Sequence, residues 1–123
     1  MARGSVTVSK LQSEVAEAVR RLGYECEEEV KDPVSGYSID LLIKPTGPSH
    51  RRGVALEVDG PSHFLKDSKE PVGGTILKRR LLRQLGYQTV SVPYFAWAGQ
   101  DDKEAFLRRL LHRKARAAGR RTA

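Results

Sequence analysis

The sequence predicts a single α/β domain in which one mixed, four-stranded sheet is flanked by helices. The 123 residues are enough for one hydrophobic core. Apolar periodicity and turn residues give the element order αβββαβα. The first three strands follow one another through short connections and should pair antiparallel. The third and fourth are joined through a helix and should be parallel, with a right-handed crossover.

The amino-terminal half supplies a helix and three strands. We expect the helix over residues 9–22 because its apolar residues recur at helical spacing: Leu11, Val15, Ala18, Val19 and Leu22. Strands are predicted over residues 24–30, 37–43 and 54–59. Three consecutive glutamates at 27–29 indicate that the first strand lies at an edge of the sheet.

The carboxy-terminal half begins with a loop over residues 60–74 that is rich in Gly, Pro and charge. A helix then runs to about Leu85, and a fourth strand is predicted over residues 88–92. An aromatic turn follows at 94–97. The last helix is capped by Asp101 or Asp102, whose carboxylate can accept a hydrogen bond from the first helical turn.

The positive charge of the chain is concentrated near its carboxyl terminus. The formal net charge is +7, and residues 103–123 carry all of it, with eight Lys/Arg against one Glu. Basic tails commonly bind polyanions; the alternative is a solvated terminus without a partner. We expect the folded domain over residues 9–116, a leader or linker over 1–8, and a disordered basic tail over 117–123.

Composition and motifs exclude several classes of protein. Cys26 is the only cysteine, so an internal disulfide is impossible and the chain fits a reducing compartment. No apolar run approaches the length needed to span a membrane. Zinc-ligand spacing, a phosphate-cradling glycine loop and a serine triad are all missing from the sequence. We therefore expect neither a membrane partner nor a small-molecule substrate.

Three acidic residues in predicted strands carry the most information about function. Glu57 and Asp59 are two residues apart in a strand and therefore share one face. Asp40 interrupts the apolar run of the preceding strand and can lie beside Glu57 if the two strands pair. Adjacent carboxylates bind Mg²⁺ or Mn²⁺, and Asp40 and Glu57 are the predicted ligands. The same arrangement also occurs in buried structural networks, and the residues alone leave both interpretations open.

Lys78 lies inside the apolar arc of the second helix, which consists of Leu77, Leu81, Leu82 and Leu85. Its ammonium group is expected to lean toward the acidic strand end, where it would neutralise the carboxylates or stabilise charge on a phosphate. The alternative is a packed stem with the ammonium in water. Basic residues outside this arc are predicted to form an outward patch that contacts phosphates: Arg79, Arg80 and Arg83.

Other candidate residues follow the third and fourth strands. His63 comes directly after a Gly-Pro turn and is predicted to act as a general base, a donor to phosphate or a loop anchor. Tyr94 and Trp97 are candidates for stacking on unpaired bases, whereas Phe95 is expected to be buried. In the last helix, Arg108 and Arg109 extend the predicted nucleic-acid-binding set.

Several blocks in order make residues 37–112 resemble the RAP domain. The blocks are VALEVDGPSHF at 54–64, GTILKRRLL at 74–82, LGY at 85–87 and VPYFAW at 92–97. The resemblance implies RNA binding in mitochondria or chloroplasts, in proteins that place this domain after helical repeats. The vertebrate members of the family belong to the Fas-activated serine/threonine kinase group.

The RAP domain in turn resembles the PD-(D/E)XK nucleases, and most of all the very-short-patch repair endonuclease branch. This resemblance implies a restriction-endonuclease-like fold, with Asp40 and Glu57 matching the two motif acids and His63 the histidine of that branch. The catalytic lysine two residues after the second acid is replaced here by Asp59, and Lys78 is the candidate substitute.

These observations predict an RNA-binding domain of an organellar RNA-processing or RNA-stability protein. The first alternative is a ribonuclease that depends on Mg²⁺ or Mn²⁺ and uses Asp40, Glu57, Asp59, His63 and Lys78. The second is a protein-interaction module whose aromatic turn docks on a helical-repeat region of the parent protein. Localisation in a mitochondrion or chloroplast is expected from the resemblance.

Overall fold

A computed structural model describes residues 2–45, 52–61, 65 and 71–122, and side chains within 9–112 of these ranges. The elements are α1 (Ala2–Arg21), β1 (Cys26–Lys31), β2 (Ser38–Ile43), β3 (Val54–Asp59), α2 (Gly73–Gln84), β4 (Gln88–Pro93), α3 (Tyr94–Ala98) and α4 (Lys103–Thr122). The predicted order αβββαβα is confirmed, with a short helix, α3, in place of the aromatic turn. Helix α1 starts within the predicted leader, and α4 continues through residues 117–122, which the sequence assigned to a tail.

The four strands form one sheet in the order β1-β2-β3-β4. Strands β1, β2 and β3 pair antiparallel, and β3 pairs parallel with β4. The crossover from β3 to β4 contains α2, as expected for a parallel connection. The predicted mixed sheet is therefore confirmed, and β1 occupies an edge as its glutamates indicated.

Helices cover both faces of the sheet. The larger core cluster packs α1 and α4 against one face and includes Val19, Leu56, Val92 and Leu107. The smaller cluster packs α2 against the other face, where Ala55 and Leu82 are fully buried. Helices α2 and α4 therefore lie in opposite layers. Side chains of β3 alternate between the layers, so Glu57 and Asp59 face α2, while Leu56 and Val58 face α1 and α4.

The turn between β1 and β2 is tied to the start of β4 by a buried carboxylate. Asp32 accepts hydrogen bonds from the Val34 amide, the Ser35 amide and the Ser35 hydroxyl at 2.7–3.1 Å. Its second oxygen accepts one from the Tyr87 hydroxyl at 2.7 Å, and Arg52 lies 3.7 Å away. Burial alone would raise the pKa of Asp32, but these hydrogen bonds lower it to about 2.

Candidate functional site

Glu57, Asp40 and Lys78 meet at the α2 face of the sheet. Because Leu41 pairs with Leu56, the antiparallel register brings Asp40 opposite Glu57. The Asp40 carboxylate accepts a hydrogen bond from the Val58 amide at 2.9 Å. This side-chain hydrogen bond joins β2 and β3 just beyond their last backbone pair. The Lys78 Nζ lies 2.8 Å from Glu57 Oε1. The expected contact between Lys78 and the acids is present.

Burial and the neighbouring Asp40 carboxylate raise the pKa of Glu57 to about 8. Only 8% of the Glu57 side chain is exposed, so removing its ionised form from water is costly. A hydrogen bond with Asp40 favours the protonated form further, while Lys78 opposes both effects. Burial and Asp40 therefore shift the Glu57 carboxyl group toward its protonated form, against the opposing effect of the Lys78 ammonium.

Asp59 is neutralised by a different cation. Its side chain is 1% exposed, and its Oδ2 lies 2.7 Å from an Arg79 terminal nitrogen. The Ser91 hydroxyl of the neighbouring strand donates to the same oxygen, and Arg79 also donates to Ser91 at 3.1 Å. Asp59 is thus the acceptor of a small network that joins β3, β4 and α2.

This geometry corrects the prediction that Arg79 belongs to an outward phosphate-binding patch. The side chain of Arg79 points toward the sheet, and Leu77, predicted to be apolar core, is 51% exposed. Leaving a buried carboxylate without its cation costs about 3–5 kcal/mol. Burying a leucine gains only about 1.5–3 kcal/mol. Since the buried Asp59 carboxylate needs a cation, α2 is rotated so that Arg79, with Lys78 beside it, faces the sheet and Leu77 does not.

A cavity of about 260 Å³ lies beside these two pairs, between α2 and the sheet. Glu57, Asp59, Lys78 and Arg79 contribute its charged wall, and Val72, Leu82 and Val90 are among its apolar lining. The wall thus holds two acidic and two basic side chains, with each cation against one of the acids.

The described residues do not fit a hard divalent cation in this arrangement. Asp40 and Glu57 have the oxygen donors that Mg²⁺ and Mn²⁺ prefer. However, the raised pKa of Glu57 favours its protonated form, Lys78 lies 2.8 Å from its Oε1, and one Asp40 oxygen accepts the Val58 amide hydrogen. Within the described part of the chain, no group of three or more His, Cys, Asp or Glu residues is placed to hold a metal. His63 lies outside the described residues.

The aromatic segment differs from the prediction at Trp97. This side chain is 2% exposed, belongs to the larger core cluster and donates its indole hydrogen to Glu14 at 3.1 Å. Trp97 is therefore a core residue and not a stacking platform, because helix α3 turns it toward α1. Tyr94 and Phe95 are both half-buried and pack edge to face with centroids 5.3 Å apart, so Phe95 is less buried than expected.

The remaining predicted nucleic-acid contacts fall on two separate surfaces. Arg80 and Arg83 are exposed on α2, and Arg108 and Arg109 are exposed on α4. These helices lie in opposite layers, so the four arginines do not form one patch. On α4 the only acid, Glu104, lies 2.8 Å from Arg21 of α1. The seven cations from residue 108 onward are accompanied by no acid in the sequence.

Sequence reasoning missed the Asp32 network altogether. Asp32 precedes a proline and reads as a turn residue, while Tyr87 lies 55 positions away. The arginine contributing to this network, Arg52, also lies 5.8 Å from the centre of the Tyr87 ring. The available signal was Tyr87 itself, because a buried tyrosine hydroxyl needs a partner.

The fold and the site together define an α/β domain of endonuclease-like element order. The acidic residues at the end of β3 are contacted by Lys78 and Arg79 of the same domain. The RAP domain model matches residues 56–110, and the chain carries a RAP domain. A RAP domain-containing chloroplastic protein of Oryza sativa subsp. japonica is 31% identical over 106 residues, covering 84% of this chain and 15% of that protein.

Mitochondrial relatives are similar over a shorter stretch. The FAST kinase domain-containing protein 3 of Bos taurus is 39% identical over 72 residues, which cover 58% of this chain and 10% of that protein. The Homo sapiens protein of the same name is 47% identical over 69 residues, 47% of this chain and 10% of its own length. The chain thus spans a tenth to a seventh of these relatives. Their chloroplastic and mitochondrial names support organellar localisation.

No helix in the described ranges is long and apolar enough to cross a membrane.

Proposed function

We propose that this chain is an RNA-binding domain of an organellar RNA-processing or RNA-stability protein. The observation that carries the proposal is the basic surface of α4, where Arg108 and Arg109 are exposed and no acid follows Glu104. The rest of the chain is formally neutral, so this surface dominates the attraction of a polyanion. Contacts to phosphates account for most of the affinity of such proteins and make it salt-dependent.

The cations of α2 play unequal parts in this proposal. Lys78 and Arg79 are engaged by buried carboxylates and are not available to phosphate in this arrangement. Arg80 and Arg83 remain predicted contacts, but they lie in the opposite layer from α4. A short RNA that binds α4 therefore does not reach them without bending around the sheet.

A salt titration of binding to a short single-stranded RNA tests the proposal. Replacing Arg108 and Arg109 by Ala is expected to weaken binding and to reduce the slope of log affinity against log salt by about 1.4, since each phosphate contact contributes about 0.7. The double variant Lys31→Ala/Lys44→Ala removes the same charge near the edge strand and should leave the slope unchanged. Equal effects of the two variants, or a flat salt response, would refute specific contact by α4.

The alternative is a ribonuclease dependent on Mg²⁺ or Mn²⁺. The convergence of Asp40, Glu57 and Lys78 favours it, but a metal would have to displace Lys78 and the Val58 amide from the carboxyl oxygens. Incubating the purified chain with labelled RNA and Mn²⁺ discriminates the two. Cleavage that is lost in both Asp40→Ala and Glu57→Ala would establish the enzyme. Cleavage that persists in both variants would come from a contaminant.

A further inference from the structure

The outward side of α2 combines aliphatic and basic side chains. It consists of Ile76, Leu77, Arg80 and Arg83, here called the α2 outer face. Ile76 is 39% exposed and Leu77 51% exposed, and they are two of the four large hydrophobic residues that are exposed in the described ranges. Residues 76, 77, 80 and 83 fall within one third of the helix circumference at about 100° per residue. The four side chains therefore form one continuous strip.

The charge on this strip is uncompensated. Helix α2 contains no acidic residue. Its two inward cations are matched by Glu57 and Asp59, whereas Arg80 and Arg83 form no ion pair with any residue that the structure describes. A partner with carboxylates would complement both arginines, and apolar groups between those carboxylates would cover Ile76 and Leu77.

The two basic surfaces of the domain differ in kind. The described exposed residues of α4 beyond its start are Arg108, Arg109 and His112, which suit a phosphate backbone. On the α2 outer face, half of the residues are aliphatic, and aliphatic side chains gain nothing from phosphates. A second copy of the same face is disfavoured because a two-fold interface would bring arginines against arginines.

We propose that the α2 outer face binds an acidic, amphipathic protein helix. Leucine-like residues of that helix would bury Ile76 and Leu77, and its flanking Glu or Asp residues would pair with Arg80 and Arg83. In helix docking of this type the incoming helix presents apolar anchors three and four residues apart. In the strip itself the apolar pair Ile76 and Leu77 is adjacent, and Arg80 and Arg83 follow one and two turns later. Because the face lies in the layer opposite α4, RNA and this helix can be bound together.

Peptide binding to the full 123-residue chain tests the proposal. The probe is a fluorescent peptide of about 15 residues, near the shortest length that forms a helix in water, with Leu on one side and Glu beside it. A second peptide carries Lys in place of each Glu. Fluorescence anisotropy should show binding of the acidic peptide and little of the basic one. We expect Leu77→Ser to lower the affinity for the acidic peptide about fivefold, because about half of a leucine side chain would no longer be buried on binding.

Matched variants make the result specific. Val34→Ser changes an aliphatic residue that is 67% exposed on the β1–β2 turn, so it should leave peptide binding unchanged. The double variant Arg80→Ala/Arg83→Ala should abolish the preference for the acidic peptide. The double variant Arg108→Ala/Arg109→Ala should weaken RNA binding and leave peptide binding unchanged. If neither the wild type nor any variant bound RNA, the RNA-binding proposal would be refuted, and the peptide result would still test the α2 outer face.

Four outcomes would overturn the inference. Equal binding of both peptides would show that charge does not select the partner. No binding of either peptide would show that the strip is not a docking surface. If Leu77→Ser weakened the binding of single-stranded RNA while the peptide failed to bind, the α2 outer face would be an RNA-binding surface. Self-association relieved by Leu77→Ser would assign it to a second copy.

Discussion

Replacing Glu57 by Gln tests the central electrostatic feature of the site. In the folded protein the pKa of Glu57 is raised from 4.5 to about 8, first by burial and then by Asp40. A group with a raised folded pKa adds stability that is complete below its unfolded pKa and is lost as pH rises through the folded value. The free energy of unfolding should therefore fall between about pH 4.5 and pH 8. Glutamine has nearly the same shape and does not titrate.

The size of the effect follows from the two pKa values. One pKa step corresponds to about 1.4 kcal/mol, so the change from 4.5 to about 8 gives about 5 kcal/mol over the whole range. This is a large part of the stability of an ordinary domain, about 5–15 kcal/mol. The difference between wild type and Glu57→Gln reports on Glu57 and its immediate neighbours, because groups remote from the site are common to both proteins.

Urea unfolding at intervals from about pH 5 to pH 9 provides the assay. The single tryptophan, Trp97, is buried and reports unfolding by fluorescence. Relative to Glu57→Gln, wild type should lose stability steadily with rising pH and level off above about pH 8. Glu17→Gln is the control, because Glu17 is 70% exposed and should give parallel curves. Parallel curves for Glu57→Gln as well would refute the raised pKa and show that the Lys78 ion pair dominates.

Three further predictions concern groups that stabilise the fold. Tyr87→Phe removes a donor to the Asp32 carboxylate and should cost about 1–3 kcal/mol in urea unfolding. Hydrogen bonds keep the folded pKa of Asp32 at about 2, so its contribution to the free energy of unfolding is lost as pH falls through that value. Tyr87→Phe should therefore unfold at a higher pH than wild type in an acid titration, and an unchanged acid midpoint would contradict this. Arg79→Ala should cost about 3–5 kcal/mol by stranding a buried carboxylate, yet leave RNA affinity of the folded protein unchanged; loss of affinity at unchanged stability would restore its predicted phosphate contact. Gly53→Ala should lower the thermal midpoint, since φ is +96° there and a Cβ would meet the Ile43 carbonyl oxygen; a stability equal to wild type would contradict that clash.

Local patterns were sufficient for most of the fold. Strand β3 was predicted with its observed ends, because an apolar run bounded by turn residues defines both. The pairing of β2 with β3 followed from the short connection, and it placed Asp40 opposite Glu57. The Lys78 contact was also predictable, since helical spacing turned this residue toward the sheet.

The orientation of α2 could not be predicted in the same way. Apolar periodicity centred the buried face on the leucines, whereas the observed face is rotated toward Arg79 and away from Leu77. The pattern counts hydrophobic residues only, but the rotation depends on two buried carboxylates from another element. The same limitation applies to Trp97, whose burial depends on α1 and on the short helix α3.

Periodicity and connection length are local properties, so they were enough to predict the order of the elements, the mixed sheet and the position of Asp40 opposite Glu57. Which cation lies against which acid, and which basic side chains stay exposed, depends on how the layers pack together. This packing also separates Arg80 and Arg83 from Arg108 and Arg109, since the sheet stands between their helices. Burial makes an unpaired charge far more costly than an exposed leucine, and burial is a property of the assembled layers.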